Sequence, residues 1–193
     1  MKPAVFLDRD GVINVDHGYV SRPEQFEFIE GIFEACRHFA VLGYTLIVVT
    51  NQSGIGRGYY SEADFHSLTR WMTERFAEHG VTIAGVYWCP HHPVKAQGAY
   101  QRECDCRKPA PGMILQAAAE HGIDLARSWM LGDKAADMQA AAAAGVGHKV
   151  LVLSGQALSV EDRALADEVW GSALDALQRV PITSPSGPCA NAP

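Results

Sequence analysis

Asp8 and Asp10, with Arg9 between them and Gly11 after, close the first apolar run of the chain. Thr50-Asn51-Gln52-Ser53 closes a second run, and Gly132-Asp133-Lys134 a third, with Asp137 one helical turn further on. A carboxylate after a buried strand is usually a turn or helix-capping residue. Here three of them and a hydroxyl follow separate apolar runs, so in one parallel sheet they meet on one rim. Like charges so close need a compensating cation, and an oxygen-only ligand set with room for water suits Mg²⁺.

A second cluster lies in CPHHPVKAQGAYQRECDCRK, residues 89–108, which holds three of the chain's five cysteines. Cys89-x-His91 and Cys104-x-Cys106 offer four N/S ligands in two close pairs, which is zinc chemistry. Four protein ligands leave no open coordination position, so the expected role is structural. A disulfide suits an exported chain better, and no acid–base partner marks a catalytic cysteine. His92 is the rival to His91; the spacing of His91 mirrors the C-x-C pair. Cys106 directly precedes Arg107 and Lys108, so a metal knot there would stiffen the backbone bearing two cations.

The elements that must position these residues can be read from the pattern. Residues 4–7, 45–49, 83–88, 129–131 and 150–153 are continuous apolar runs, as expected of strands buried on both faces. Between them Ile32, Cys36, Phe39 and Leu42 keep helical spacing up to Gly43. Ser61 with Asp64 forms a capping box ahead of Phe65, Leu68, Met72 and Phe76, and Gly80 ends that helix. Pro111 suits a first helical position before Met113, Ile114 and Ala117, with Gly122 as the stop; residues 135–144 form an alanine-rich helix ended by Gly145. Strand–helix alternation predicts an α/β fold, one Rossmann-like domain over residues 1–180 with helices on both faces of a parallel sheet. The Pro- and Ser-rich residues 181–193 are expected to be a mobile tail, with Cys189 a solvent thiol.

Composition narrows the function classes. The chain has 193 residues, 48% of them hydrophobic and 20% charged, enough for one full core. No apolar run reaches the ~18 residues of a membrane span, and the N-terminal apolar stretch is too short for a signal peptide. A cytoplasmic protein with no membrane partner is therefore expected. Net charge of −6 argues against a nucleic-acid binder, whose footprint is a basic face. A monomer is expected.

Taken in order, Asp8-x-Asp10, Thr50, Lys108 and Gly132-Asp133 resemble the four motifs of the haloacid dehalogenase-like (HAD) phosphatases over roughly residues 4–155. The resemblance implies that Asp8 is the nucleophile and forms an aspartyl-phosphate. Asp10 would be the acid and base, with its pKa raised by neighbouring negative charge. Thr50 and Lys108 would steady the phosphoryl oxygens. Asp133, the Asp8 carboxylate and the Asp10 backbone carbonyl would hold Mg²⁺.

Within that superfamily DRDGVINVDHGYV, NQSGIGRG, CDCRKPAPGM and GDKAADM resemble the heptose bisphosphate phosphatases. That implies removal of the C7 phosphate of heptose 1,7-bisphosphate, in the synthesis of nucleotide-activated heptose for surface polysaccharide. Asp16, His17, Gly18 and Tyr19 would form a loop over the sugar, with Asn51, Gln52 and Ser53 beside it. Arg107 would engage the second phosphate, and Lys134 the reacting phosphate or sugar. No large insertion follows Asp10, so no separate cap domain is expected and small loops would select the substrate. The alternatives are a histidinol-phosphate phosphatase, whose relatives lack D-H-G-Y, a polynucleotide 3′-phosphatase, and a zinc-stabilised binding module without catalysis.

Overall fold

Ala4–Leu7 forms strand β1, and its side chains part alternately to two cores. Val5 and Leu7 enter one core; Ala4 and Phe6 enter the other, as the two-residue period of a strand requires. The computed structural model describes residues 1–155 and 158–182. In chain order the further elements are α1 (Ile32–Val41), β2 (Thr45–Asn51), α2 (Ser53–Gly56), α3 (Glu62–Glu78) and β3 (Ile83–Cys89). They continue as α4 (Gly112–His121), β4 (Trp129–Gly132), α5 (Ala135–Ala144), β5 (His148–Val152), α6 (Val160–Arg163), β6 (Glu168–Trp170) and α7 (Ala176–Arg179).

The strands form one parallel sheet in the order β3-β2-β1-β4-β5-β6. The chain runs outward from β1 to β3, then returns to place β4 on the other side of β1. The carboxyl ends of β1 and β4 thus flank the point where the strand order reverses, the usual ligand crevice of such sheets. One core joins the sheet to α1, α3 and α7 through Phe39, Leu68, Met72 and Ala176. The other joins it to α4 and α5 through Met113, Ile114, Met138 and Ala141. The sheet is covered on both faces, as the sequence predicts.

The caps explain the helix bounds. The Ser61 hydroxyl accepts from the Asp64 N–H while the Asp64 carboxylate accepts from the Ser61 N–H, so the capping box forms. Gly122 and Gly145 end α4 and α5 in the left-handed conformation. Pro111 differs from expectation: it is the N-cap of α4, and Gly112 opens the helix with its N–H on the Asp105 carbonyl. Strand β6 has no signal in the pattern because it is three residues long, yet it buries Trp170 completely. The expected tail lies, beyond Ile182, outside the described residues, as does Cys189. Among the described residues no helix is long and apolar enough to cross a membrane.

Candidate active site

Lys108 is buried and held on three sides. Its Nζ lies 2.6 Å from Asp137 Oδ1 and 3.0 Å from Asp8 Oδ1, and donates to the Val49 carbonyl at 2.8 Å. Burial works against its charge, but Asp137 and Asp8 outweigh that and raise its pKa. The Asn51 amide holds the Lys108 backbone from both sides: its Nδ2 donates to the Lys108 carbonyl at 3.0 Å, and its Oδ1 accepts the Lys108 N–H at 3.1 Å. Asn51 lines the cleft, but these hydrogen bonds make it a brace for Lys108. Asp137, whose role the sequence left open, anchors Lys108 and accepts the Lys134 N–H at 3.0 Å.

Asp133 is fully buried, and neither of its carboxylate oxygens has a hydrogen-bond partner. Two glycines make its enclosure possible. A Cβ on Gly11, which sits at φ +94°, would fall 2.3 Å from Asp133 Oδ2, and one on Gly155 would fall 2.2 Å from it. Burial, then the Asp8 charge, push the Asp133 carboxyl up to about 8; burial, against Lys108, lifts Asp8 to about 6. Carboxylate oxygens of Asp8, Asp133 and Asp137 all lie within 4.8 Å of one another. Because Asp137 is committed to Lys108, the unpartnered oxygens are those of Asp133, beside Asp8. A hard divalent cation fits that pair, since it would satisfy two buried oxygens that accept no hydrogen bond.

Asp10 points elsewhere. Its Oδ1 accepts from Arg9 Nη2 at 2.9 Å and Asn14 Nδ2 at 3.0 Å, and its Oδ2 from Gln52 Nε2 at 3.1 Å. Burial pushes this carboxyl up, but the Arg9 guanidinium, with Asn14 and Gln52, outweighs burial and holds it below the usual carboxylate range. Asp8 by itself therefore does not raise this carboxyl as expected; a bound phosphate would add negative charge beside it. The guanidinium is in hydrogen-bond contact, while the Asp8 charge is answered by Lys108.

A cleft of about 310 Å³ opens over these groups, lined by Asp10, Asp16, Gly18, Tyr19, Asn51, Gln52, Ser53 and Lys134 among others. Lys134 Nζ bonds Asp16 Oδ2 at 3.1 Å and lies 3.5 Å from Asp133 Oδ2; against burial, those carboxylates and Asp8 raise its pKa. Thr50 is buried at the end of β2, its hydroxyl accepting from Gln52 Nε2 at 2.8 Å. His17 does not join the cleft: its Nε2 lies 3.0 Å from Glu27, and it lines a second cavity with Val20, Phe26 and Glu27. Arg107 also lies off the cleft wall and donates to the His91 carbonyl at 3.1 Å. Tyr60, Arg9 and Asn14 were missed by sequence reasoning. The strings GYY at 58–60 and DRDGVIN at 8–14 contain them, but nothing in either marks a side chain's direction.

Cys89, His91, Cys104 and Cys106 meet at the end of β3 with no disulfide among the described cysteines. Their sulfurs are 3.1–3.5 Å apart, and His91 Nδ1 lies 3.4 Å from Cys106 Sγ and 3.6 Å from Cys89 Sγ. A tetrahedron with Zn–S of ~2.3 Å has edges of about 3.7 Å, so the four atoms fit one zinc ion with small adjustment. His92 is turned away, its Nδ1 accepting the N–H groups of Val94 and Lys95.

A family model described as HAD-hydrolase-like matches residues 105–174. The D-glycero-β-D-manno-heptose-1,7-bisphosphate 7-phosphatase of Vibrio cholerae is 56% identical over 93% of this chain and 95% of its own. The chain belongs to the HAD phosphatases, in the heptose-1,7-bisphosphate 7-phosphatase family. The Escherichia coli K12 enzyme of the same name is 51% identical over 92% of this HAD phosphatase and 93% of its own length. The crystal structure of the D,D-heptose 1,7-bisphosphate phosphatase of B. bronchiseptica, complexed with magnesium and phosphate, is 29% identical with a TM-score of 0.78. It covers 92% of this HAD phosphatase and 97% of the B. bronchiseptica chain.

Proposed function

We propose that this phosphatase removes the C7 phosphate of D-glycero-D-manno-heptose 1,7-bisphosphate. The observation that carries the reading is the 56% identity to the Vibrio cholerae enzyme of that name, spanning nearly the whole of both chains. The product would feed the synthesis of nucleotide-activated heptose, and the enzyme would act as a cytoplasmic monomer.

Asp8 attacks phosphorus while the bond to the C7 oxygen breaks, and Asp10, protonated once the charge of the bound phosphate raises its pKa against the pull of Arg9, delivers a proton to that oxygen. Asp10 then takes a proton from the water that attacks the aspartyl-phosphate, which frees Asp8 and releases inorganic phosphate. Lys108 is held where it can meet the charge on the phosphoryl oxygens, and the Thr50 hydroxyl donates to them. Asp8, Asp133 and the Asp10 backbone carbonyl would hold Mg²⁺, which would supply the remaining charge cancellation. The loop Asp16–Tyr19, with Gln52, Ser53 and Lys134, surrounds the sugar in the cleft. Asp16 must loosen from Lys134 when a phosphate competes for that ammonium.

Zinc on Cys89, His91, Cys104 and Cys106 would fix the loop that leads into Arg107 and Lys108. The 7-phosphate, on a primary exocyclic carbon, reaches the buried carboxylates. The ring-bound 1-phosphate stays near the rim, within reach of Arg107 once it leaves the His91 carbonyl.

The test is phosphate release from heptose 1,7-bisphosphate, fructose 1,6-bisphosphate and histidinol phosphate, with phosphorus NMR of the product. Preference for the heptose with an anomeric phosphate surviving is expected. A surviving primary phosphate ester, or preference for histidinol phosphate, would overturn the reading.

A further inference from the structure

Arg9 lies between the two aspartates of the first motif and has no part in the scheme above, yet it is among the most buried charges in the chain, only 2% exposed. One nitrogen makes its two decisive contacts. Arg9 Nη2 donates to Asp10 Oδ1 at 2.9 Å and to the Val20 carbonyl at 2.8 Å, while Nε reaches the same Asp10 oxygen at 3.3 Å. Phe26 packs beneath the guanidinium, 5.9 Å from ring centre to Cζ. Val20 directly follows Asp16–Tyr19, the loop that walls the cleft. A buried guanidinium is a costly strut; its Nε–Nη2 edge grips Asp10 while the second N–H of Nη2 serves Val20.

We infer that Arg9 is a positioning residue for Asp10: it ties the acid–base carboxylate to the substrate loop and leaves one of its two oxygens open. Three donors crowd Oδ1, namely Arg9 Nε, Arg9 Nη2 and Asn14 Nδ2, so that oxygen has no site left for a proton. Oδ2 meets Gln52 Nε2 alone and keeps a lone pair open. Oδ2 is therefore the oxygen left open for exchange of a proton with the leaving group. A loop displaced from Val20 onward would pull on the same nitrogen, so loop seating and acid placement are coupled through one side chain.

The inference rests on Asp10 being the general acid of the proposed function, and leaving-group dependence separates the two ideas. A positioned acid contributes ~10²–10⁴-fold where the leaving oxygen is a poor one and little where it departs unaided. Arg9→Lys keeps the charge but loses the Nε contact to Asp10, the planar face on Phe26 and the reach of Nη2. It should lower kcat/KM for the sugar bisphosphate by about thirtyfold or more, and for p-nitrophenyl phosphate by less than about threefold. A purely structural role would lower both alike. Asp10→Asn is the control and should show the same selectivity more strongly. Phe26→Leu, which removes the ring under the guanidinium but leaves the charge, should shift the ratio the same way by a few-fold and serves if Arg9→Lys does not fold. If Asp10→Asn is selective and neither other variant is, the inference about Arg9 is overturned alone. If Asp10→Asn shows no selectivity, the assignment of the acid falls and the inference with it.

Discussion

Lys108 and Asp137 form a 2.6 Å ion pair in which both side chains are almost wholly buried. The lysine that the sequence marks for phosphoryl stabilisation is thus held by a carboxylate from the first turn of α5 as well as by Asp8. Breaking a buried pair by removing one partner costs about 3–5 kcal/mol. Asp137→Ala should fall near the lower end because Asp8 still answers the charge, and turnover should drop as Lys108 swings toward Asp8. Urea midpoints equal in variant and wild type would show that Asp137 does not hold the lysine.

Asp8→Asn should abolish turnover with the fold intact, since the amide keeps the shape but cannot attack phosphorus. Circular dichroism should match the wild type. Retention of more than a few per cent of the rate, with deamidation excluded by mass spectrometry, would remove Asp8 from the role.

Freshly purified protein should carry about one zinc per chain, as a four-ligand structural site implies. Cys106→Ala should lose that metal and with it much of the turnover, because Arg107 and Lys108 follow directly in the chain. Full activity in a zinc-free variant, measured alongside metal content by mass spectrometry, would sever the knot from catalysis.

Magnesium should stabilise the protein more at pH 8 than at pH 6. Without metal, burial above all lifts the carboxyls of Asp133 to about 8 and of Asp8 to about 6. The folded chain then keeps protons that the unfolded chain, with carboxyls near ~4, has released. Metal-free stability accordingly falls as pH rises from about 4 to about 8. A cation must displace those protons, so its binding weakens as pH falls. The Tm shift at one fixed Mg²⁺ concentration is the measurement, and equal shifts at both pH values would contradict the assignment.

The elements and their ends were legible because the signals are local. A capping box at Ser61 and Asp64, left-handed glycines at 122 and 145, and apolar runs long enough to be strands act through neighbouring backbone groups. The cluster of Cys89, His91, Cys104 and Cys106 was legible for the same reason, since each pair lies two residues apart and all four meet at one point. Side-chain direction was not. Asn51 braces a lysine 57 residues away, His17 turns to Glu27, and Asp10 loses its expected high pKa to the guanidinium of its own neighbour. Each outcome depends on which donor the packed sheet and loops bring within about 3 Å, and hydrogen bonds weaken steeply beyond that range. The sequence by itself determined which groups are present at the rim of the sheet; only the tertiary structure decided which of them are spent on holding one another and which remain to meet a ligand.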